Sequence, residues 1–246
     1  MKKTRPFLIL FFVVLLTMVF AGEGILLAAE TGDAPQEDEY ASSLRKKAEQ
    51  GDSEAQFFLG FSFHFGQSVP QDYSKAFSWF LKAADQGHAD AQCYLARMYR
   101  EGQGVPMDLG KAAFWYRKAA DQGNVDGQFF LGYMYENGQG LPKEFAEAAS
   151  WYRKAAEQGD KFAQTFLANL YEDGRGVPQS YSDAASWYRK AAEQGYVEAQ
   201  FKLGVMYGLG RGLPQNYAEA ASWYRKAADQ GHSSAQFNLA LYYDNG

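Results

Sequence analysis

Every tryptophan in this 246-residue chain falls at one phase of a 36-residue period, at positions 79, 115, 151, 187 and 223. Five of the seven prolines, at 70, 106, 142, 178 and 214, keep the same step. The stretch ASWYRKAAEQG occurs letter for letter at 149–159 and 185–195, and returns as ASWYRKAADQG at 221–231. A period of this length marks a stacked array, because one unit cannot bury its apolar side alone and the next unit must cover it. The complete units are 52–87, 88–123, 124–159, 160–195 and 196–231, with half units at 39–51 and 232–246.

Each unit reads as two helices. In the first, Ala199, Gln200, Leu203, Gly204 and Tyr207 make a stripe at helical spacing. A glycine at 66, 102, 138, 174 or 210 ends it, since glycine adopts the left-handed C′ conformation without penalty. A Gly- and Pro-containing loop follows. Asp72, Asp108, Ser180 and Asn216 stand at the N-cap of the second helix, and Glu144 is the weaker exception. In that helix Ala148, Tyr152, Ala155 and Ala156 share a face whose small alanines admit a neighbour closely. Trp151 lies beside this face, against an adjacent helix or the Gly-Pro loop. Arg153 and Lys154 are expected to point outward, with Glu157 at ion-pair spacing from Arg153.

These residues carry a specific likeness. AQFKLGVMYGLGRGLPQNYAEAASWYRKAADQG, at 199–231, resembles the Sel-one-like repeat (SLR), a relative of the tetratricopeptide repeat with a longer loop between its helices. The likeness runs over 39–246. It departs at Ser68 in place of the second loop glycine, at Phe63 in place of Tyr, and at Leu109 in place of the aromatic opening helix two. The resemblance implies an all-α, right-handed solenoid of antiparallel helix pairs, serving as an adaptor or scaffold for other proteins. It also implies a periplasmic role for exported bacterial members. Members linked to β-lactam binding or hydrolysis are rich in paired cysteines, whereas this chain has Cys93 alone.

The remaining sequence narrows the chemistry. A formal charge of −5 argues against a nucleic-acid partner, whose phosphates reward a basic footprint. Lys2, Lys3 and Arg5 followed by FLILFFVVLLTMVFA at 7–21 have the layout of a secretory signal peptide, assigned to 1–29, with 30–38 as a linker. The alternative is a retained anchor in the inner membrane, which would be the chain's one membrane contact. Removal of 1–21 leaves 21 cations against 29 acids, a charge of −8 suited to a solvated periplasmic or secreted protein.

Ser43 and Lys46 have Ser-x-x-Lys spacing, but the accompanying Ser-Asp-Asn and Lys-Thr-Gly elements are absent from the sequence. His64, His88 and His232 form no metal-ligand pattern, and Gly-x-Gly here ends a helix instead of opening one after a strand. Catalytic residues, metal and cofactor are therefore not expected. The expected partner is a protein or peptide.

Positions that stay constant between units serve the stack, so those that vary are free to meet something else. They are the third, sixth, tenth, thirteenth and fourteenth of the unit. The tetratricopeptide pattern places this set on a concave wall. Along the chain the wall offers Phe57, Phe61, His64 and Phe65, then Cys93, Arg97 and Arg100, then Phe129, Tyr133 and Glu136. Asn169, Glu172 and Asp173 follow, then Phe201, Val205 and Leu209. Surplus aromatics suit an interface. The sixth-position phenylalanines are open to a second use, packing sideways between first helices. Arg97 and Arg100 could hold an acidic side chain or a C-terminal carboxylate. The half unit at 232–246 stays as apolar as internal helices, which fits self-association, a docked partner or a longer array.

Overall fold

The computed structural model describes residues 39–244, so the proposed signal peptide and linker lie outside the described residues. The secondary structure among these is entirely helical, and the chain divides into two compact units, up to Gln86 and from Gly87. The first holds α1 (Glu39–Glu49), α2 (Ser53–Phe65) and α3 (Tyr73–Asp85). The second holds α4 (Ala89–Glu101), α5 (Leu109–Asp121), α6 (Val125–Asn137), α7 (Phe145–Glu157), α8 (Lys161–Asp173), α9 (Tyr181–Glu193), α10 (Val197–Leu209), α11 (Tyr217–Asp229) and α12 (Ser233–Asp244). Within each, consecutive helices pack as neighbours. No described helix is long and apolar enough to cross a membrane.

The helix ends follow the side chains that satisfy them. First helices stop at Gly66, Gly102, Gly138, Gly174 and Gly210, all left-handed with φ between 66 and 69°. Asp72, Asp108, Ser180 and Asn216 each accept the amide three residues on, whereas Glu144 makes no such bond. The first helices are capped in the same way by Asp52, His88, Asn124 and Asp160. Two of the three histidines are thereby explained. His88 accepts from Ala91 N at 3.3 Å, and His232 accepts from Ala235 N at 3.2 Å.

The array is welded by buried glutamines. Gln128 sends its amide to Ala120 O, at the end of the preceding second helix, at 3.3 Å. Its carbonyl accepts from Gln158, at the end of its own second helix, at 2.8 Å. Gln164 repeats this between Ala156 O and Gln194, and Gln200 between Ala192 O and Gln230. In the first unit Gln56 does the same between Ala48 O and Gln86. Gln86, Gln122, Gln158, Gln194 and Gln230 of the AEQG and ADQG signatures are thus structural groups.

Close approach fixes two further positions. A Cβ on Gly132 would lie 2.8 Å from the Tyr152 ring, and one on Gly204 equally close to Tyr224. The second loop glycine is tighter still: a Cβ on Gly176 would sit 2.2 Å from the Phe145 carbonyl carbon, where the loop presses on the start of α7. Ser68, which replaces this glycine in the first repeat, keeps the left-handed φ of 59°. Its equivalent contact would fall on position 37, outside the described residues.

Gly195, at an inter-repeat turn, shares the positive φ but faces open space. Gly195→Ala should therefore cost about 1–2 kcal/mol of backbone strain. Gly176→Ala adds overpacking of roughly 1–3 kcal/mol. Thermal unfolding of the two variants should show the larger drop in midpoint for Gly176→Ala.

Candidate functional site

The repeated WYRK segment has a separate task for each residue. The tryptophan rings lie under the lysine three residues on, with ammonium-to-ring distances of 3.5 Å for Lys154 on Trp151 and 3.8 Å for Lys190 on Trp187. Arg153 does not need Glu157 as its partner. It reaches forward to the next repeat and donates to Tyr171 Oη at 2.6 Å. Arg189 does the same to Tyr207 at 2.6 Å, and Arg117 bonds Tyr135. Arg153 and Lys154 do point outward as expected, and from that exposed face the arginines also link one repeat to the next.

The tyrosine of WYRK points the other way, towards the thirteenth position of its own repeat. Tyr152 donates to Glu136 Oε2 at 2.8 Å, and Arg175 lies 3.5 Å from the other carboxylate oxygen. Tyr188 donates to Glu172 at 2.7 Å and also meets Asn169 Oδ1 at 2.5 Å, with Lys202 at 3.4 Å from Glu172. Each is a phenol, a carboxylate and a cation, in which the buried hydroxyl finds a charged acceptor. Burial raises both phenol pKa values, and the adjacent carboxylates raise them further.

The repeat at 196–231, with Gly208 at the thirteenth position, has no such carboxylate, and neither has the repeat at 88–123. In the latter, the tenth and thirteenth residues are Arg97 and Arg100. Tyr116 is 0% exposed and its hydroxyl has no hydrogen-bond partner. The Tyr116 ring stacks on Phe130, with centroids 5.2 Å apart, and the Arg100 guanidinium lies 4.6 Å from the same ring. Arg100 also pairs with Glu101 at 2.9 Å, and Arg97 lies over Tyr94 at 4.9 Å. Burial raises the Tyr116 pKa, and the arginine charges pull the other way. Tyr94 is pushed up to about 12, chiefly by burial.

The wall residues divide by depth. Phe57 is core, 7% exposed, against Phe58, Phe61 and Phe80. His64 and Cys93 are buried too. Phe129 is half-buried in a seam, 5.5 Å from Phe166 of the next first helix and 5.7 Å from Tyr152. Phe201 is half-buried between Tyr224 and the stacked His232 ring. Packing between elements therefore accounts for the sixth-position rings. Phe61, Arg97, Arg100, Tyr133 and Val205 are half-buried, and Phe65 and Leu209 are exposed. Phe65 belongs to the first unit, where it lies against Phe61 and His64.

Position seven went unnoticed in the sequence. Phe130 and Phe166 occupy it and cross the seam to Tyr116 and to Phe129 and Tyr133. The signal was available, because Phe58, Tyr94, Phe130 and Phe166 recur there. Exposed Phe162, beside Tyr196 and Phe129, was also missed. On α12, Phe237 is 65% exposed at the phase where Phe129 and Phe201 are half-buried. No group of three or more His, Cys, Asp or Glu able to hold a metal occurs among the described residues.

Comparison with known proteins agrees with this geometry. The family model described as Sel1 repeat matches six times, at 53–88, 89–124, 125–160, 161–196, 197–232 and 233–246. Among solved structures, c5321 of uropathogenic Escherichia coli, a protective antigen displaying an SLR fold, is 40% identical with a TM-score of 0.79. The match covers 80% of this chain and 42% of that one. A Sel1 repeat protein of Oxalobacter formigenes is 37% identical with a TM-score of 0.74, over 80% of this chain and 58% of that one. The chain thus spans less than two thirds of the length of either. A Sel1 repeat protein of Klebsiella pneumoniae is 25% identical over 82% of this chain and 98% of that one, with a TM-score of 0.51. No curated protein sequence matches the chain.

Three outcomes follow from the buried groups. Burial raises the Cys93 thiol pKa well above its ordinary value. Its alkylation by iodoacetamide at pH 8 should therefore be at least about tenfold slower in the folded protein than in denaturant. Tyr152→Phe should lower stability by about 1–3 kcal/mol, because it strips a half-buried carboxylate of its donor. Tyr116→Phe removes a hydroxyl with no partner and should leave the unfolding midpoint unchanged or raised.

Proposed function

The chain belongs to the Sel1 repeat family, and from that premise we propose that it is a non-catalytic adaptor holding a protein or peptide partner along the wall of its first helices. Members of the family typically scaffold protein–protein interactions. The observation that carries the proposal is a separation of duties within each repeat. The glutamines, alanines, WYRK residues and loop glycines are consumed by stacking, while Tyr133, Val205 and Leu209 are left accessible where the repeats differ. Leu209 is 56% exposed, a large apolar side chain that the array does not bury. In the first unit, Phe61 and exposed Phe65 supply the same kind of surface. Aromatic rings with low rotamer entropy make good anchors for such a partner.

The place of action in this proposal is the cell envelope. Its support is the charged start and apolar run of 7–21, followed by an acidic remainder. An exported adaptor would meet its partner in the periplasm or outside the cell.

A photoreactive residue placed at 205 should crosslink a discrete partner in the native envelope, whereas the same residue at exposed position 186, on α9, should not. Tyr133→Ala combined with Leu209→Ala should cut the yield at 205 by at least about tenfold, with helicity retained. Equal yields from 205 and 186, or no effect of the double substitution, would contradict the adaptor role.

A further inference from the structure

The repeats that surround Tyr116 supply a template for what is missing beside it. At 124–159 the buried Tyr152 hydroxyl, the Glu136 carboxylate and the Arg175 guanidinium form a closed set. At 160–195 the set is Tyr188, Glu172 and Lys202. At 88–123 the phenol is present and the thirteenth-position carboxylate is not, and the cations beside it, Arg97 and Arg100, come from the repeat itself, whereas Arg175 and Lys202 come from the following repeat. The thirteenth residue there is Arg100, and the tenth is Arg97, where the next two repeats have Tyr133 and Asn169. The phenol meanwhile keeps its buried place, 0% exposed, with its hydroxyl unsatisfied.

We propose that the repeat at 88–123 is a carboxylate-binding site, in which Arg97, Arg100 and the hydroxyl of Tyr116 receive a carboxylate from the partner. The inference rests on the adaptor role above and names the chemistry of one contact within it. The incoming group takes the chemical role that Glu136 and Glu172 fill from within the chain, and side chains over the wholly buried hydroxyl must part to admit it. Tyr116 donates to one carboxylate oxygen, as Tyr152 does to Glu136. Arg100 exchanges its exposed partner Glu101 for the ligand while keeping its stack on Phe130. A guanidinium presents parallel donors matched to two carboxylate oxygens, and it does so from a partly desolvated face, where the interaction is strengthened. The nearby rings of Tyr94 and Phe130 restrict the two guanidiniums, which reduces the ordering cost of binding. The carboxylate can come from a chain terminus or from an Asp or Glu side chain.

The test uses the protein labelled with 15N at arginine and follows the Nε–Hε signals of Arg97 and Arg100. The probes are acetyl-Gly-Ser-Gly-Ser-Ala with a free C-terminus, its C-terminal amide, and amidated acetyl-Gly-Ser-Glu-Ser-Ala with its Gln counterpart. Saturable shifts are expected with a carboxylate-bearing peptide and not with the amide or Gln control, and the peptide that works identifies the source. Tyr116→Phe should weaken binding by about tenfold, the effect of one hydrogen bond to a charged acceptor. Arg100→Glu installs the residue that the two following repeats have at this position. It should abolish peptide binding and raise the thermal midpoint, because Tyr116 then has an internal acceptor.

The site is refuted if neither carboxylate peptide shifts the signals up to about 10 mM, a bound of a few kcal/mol on binding. Equal shifts from the uncharged controls, or undiminished binding by Arg100→Glu, refute it as well. Such a result leaves crosslinking from position 205 standing, so failure of the carboxylate site and failure of the adaptor role are read separately.

Discussion

In the unit from Gly87 onward the stack depends on a recurring buried amide. Gln128, Gln164 and Gln200 each bond forward and back, to a carbonyl at the end of the preceding second helix and to the terminal glutamine of their own. A helix C-terminus leaves carbonyls without partners, and burying them unpaired is expensive. The glutamine meets that need and at the same time measures the offset between successive helix pairs. Its side chain can satisfy both ends in one arrangement only, so the rotation from repeat to repeat is set by hydrogen-bond geometry as well as by apolar contact.

With stacking settled at constant positions, the residues that vary gain independence. This explains how one backbone plan can carry Glu136 and Glu172 in two repeats and Arg100 in a third without change in helix length: α4, α6 and α8 have 13 residues each. The exchange is felt locally, at a single tyrosine hydroxyl.

Much of this was legible in the sequence. The 36-residue step, the helix ends at Gly66 to Gly210 and the caps at Asp72, Asp108, Ser180 and Asn216 rest on local chemistry, which a single chain displays openly. Even the weakness of Glu144 as a cap was visible, since its carboxylate stands one methylene too far from the helix amides. The Arg153 link to Tyr171 was not legible, because helical spacing offers Glu157 as an adequate partner and gives no sign of the next repeat. Position seven was hidden for a similar reason. Phe130 and Phe166 look like core of their own repeat, and only the three-dimensional seam reveals which neighbour they cover. The deficit at Tyr116 needs both facts together: that the phenol is wholly buried, and that Tyr152 and Tyr188 possess an acceptor.

The array contains two kinds of joint with opposite tolerance. Within a repeat, the loop glycine at 176 or 212 lies against the preceding repeat's backbone with no room for a methyl group. Between repeats, the turns at Gly123 and Gly195 face open space. Length can therefore change most easily by whole modules joined at the open turns, since a duplicated module brings its own glutamine and its own loop. New surface can arise in such a protein by growth and shuffling of modules, provided that each loop glycine keeps its seat against the module before it.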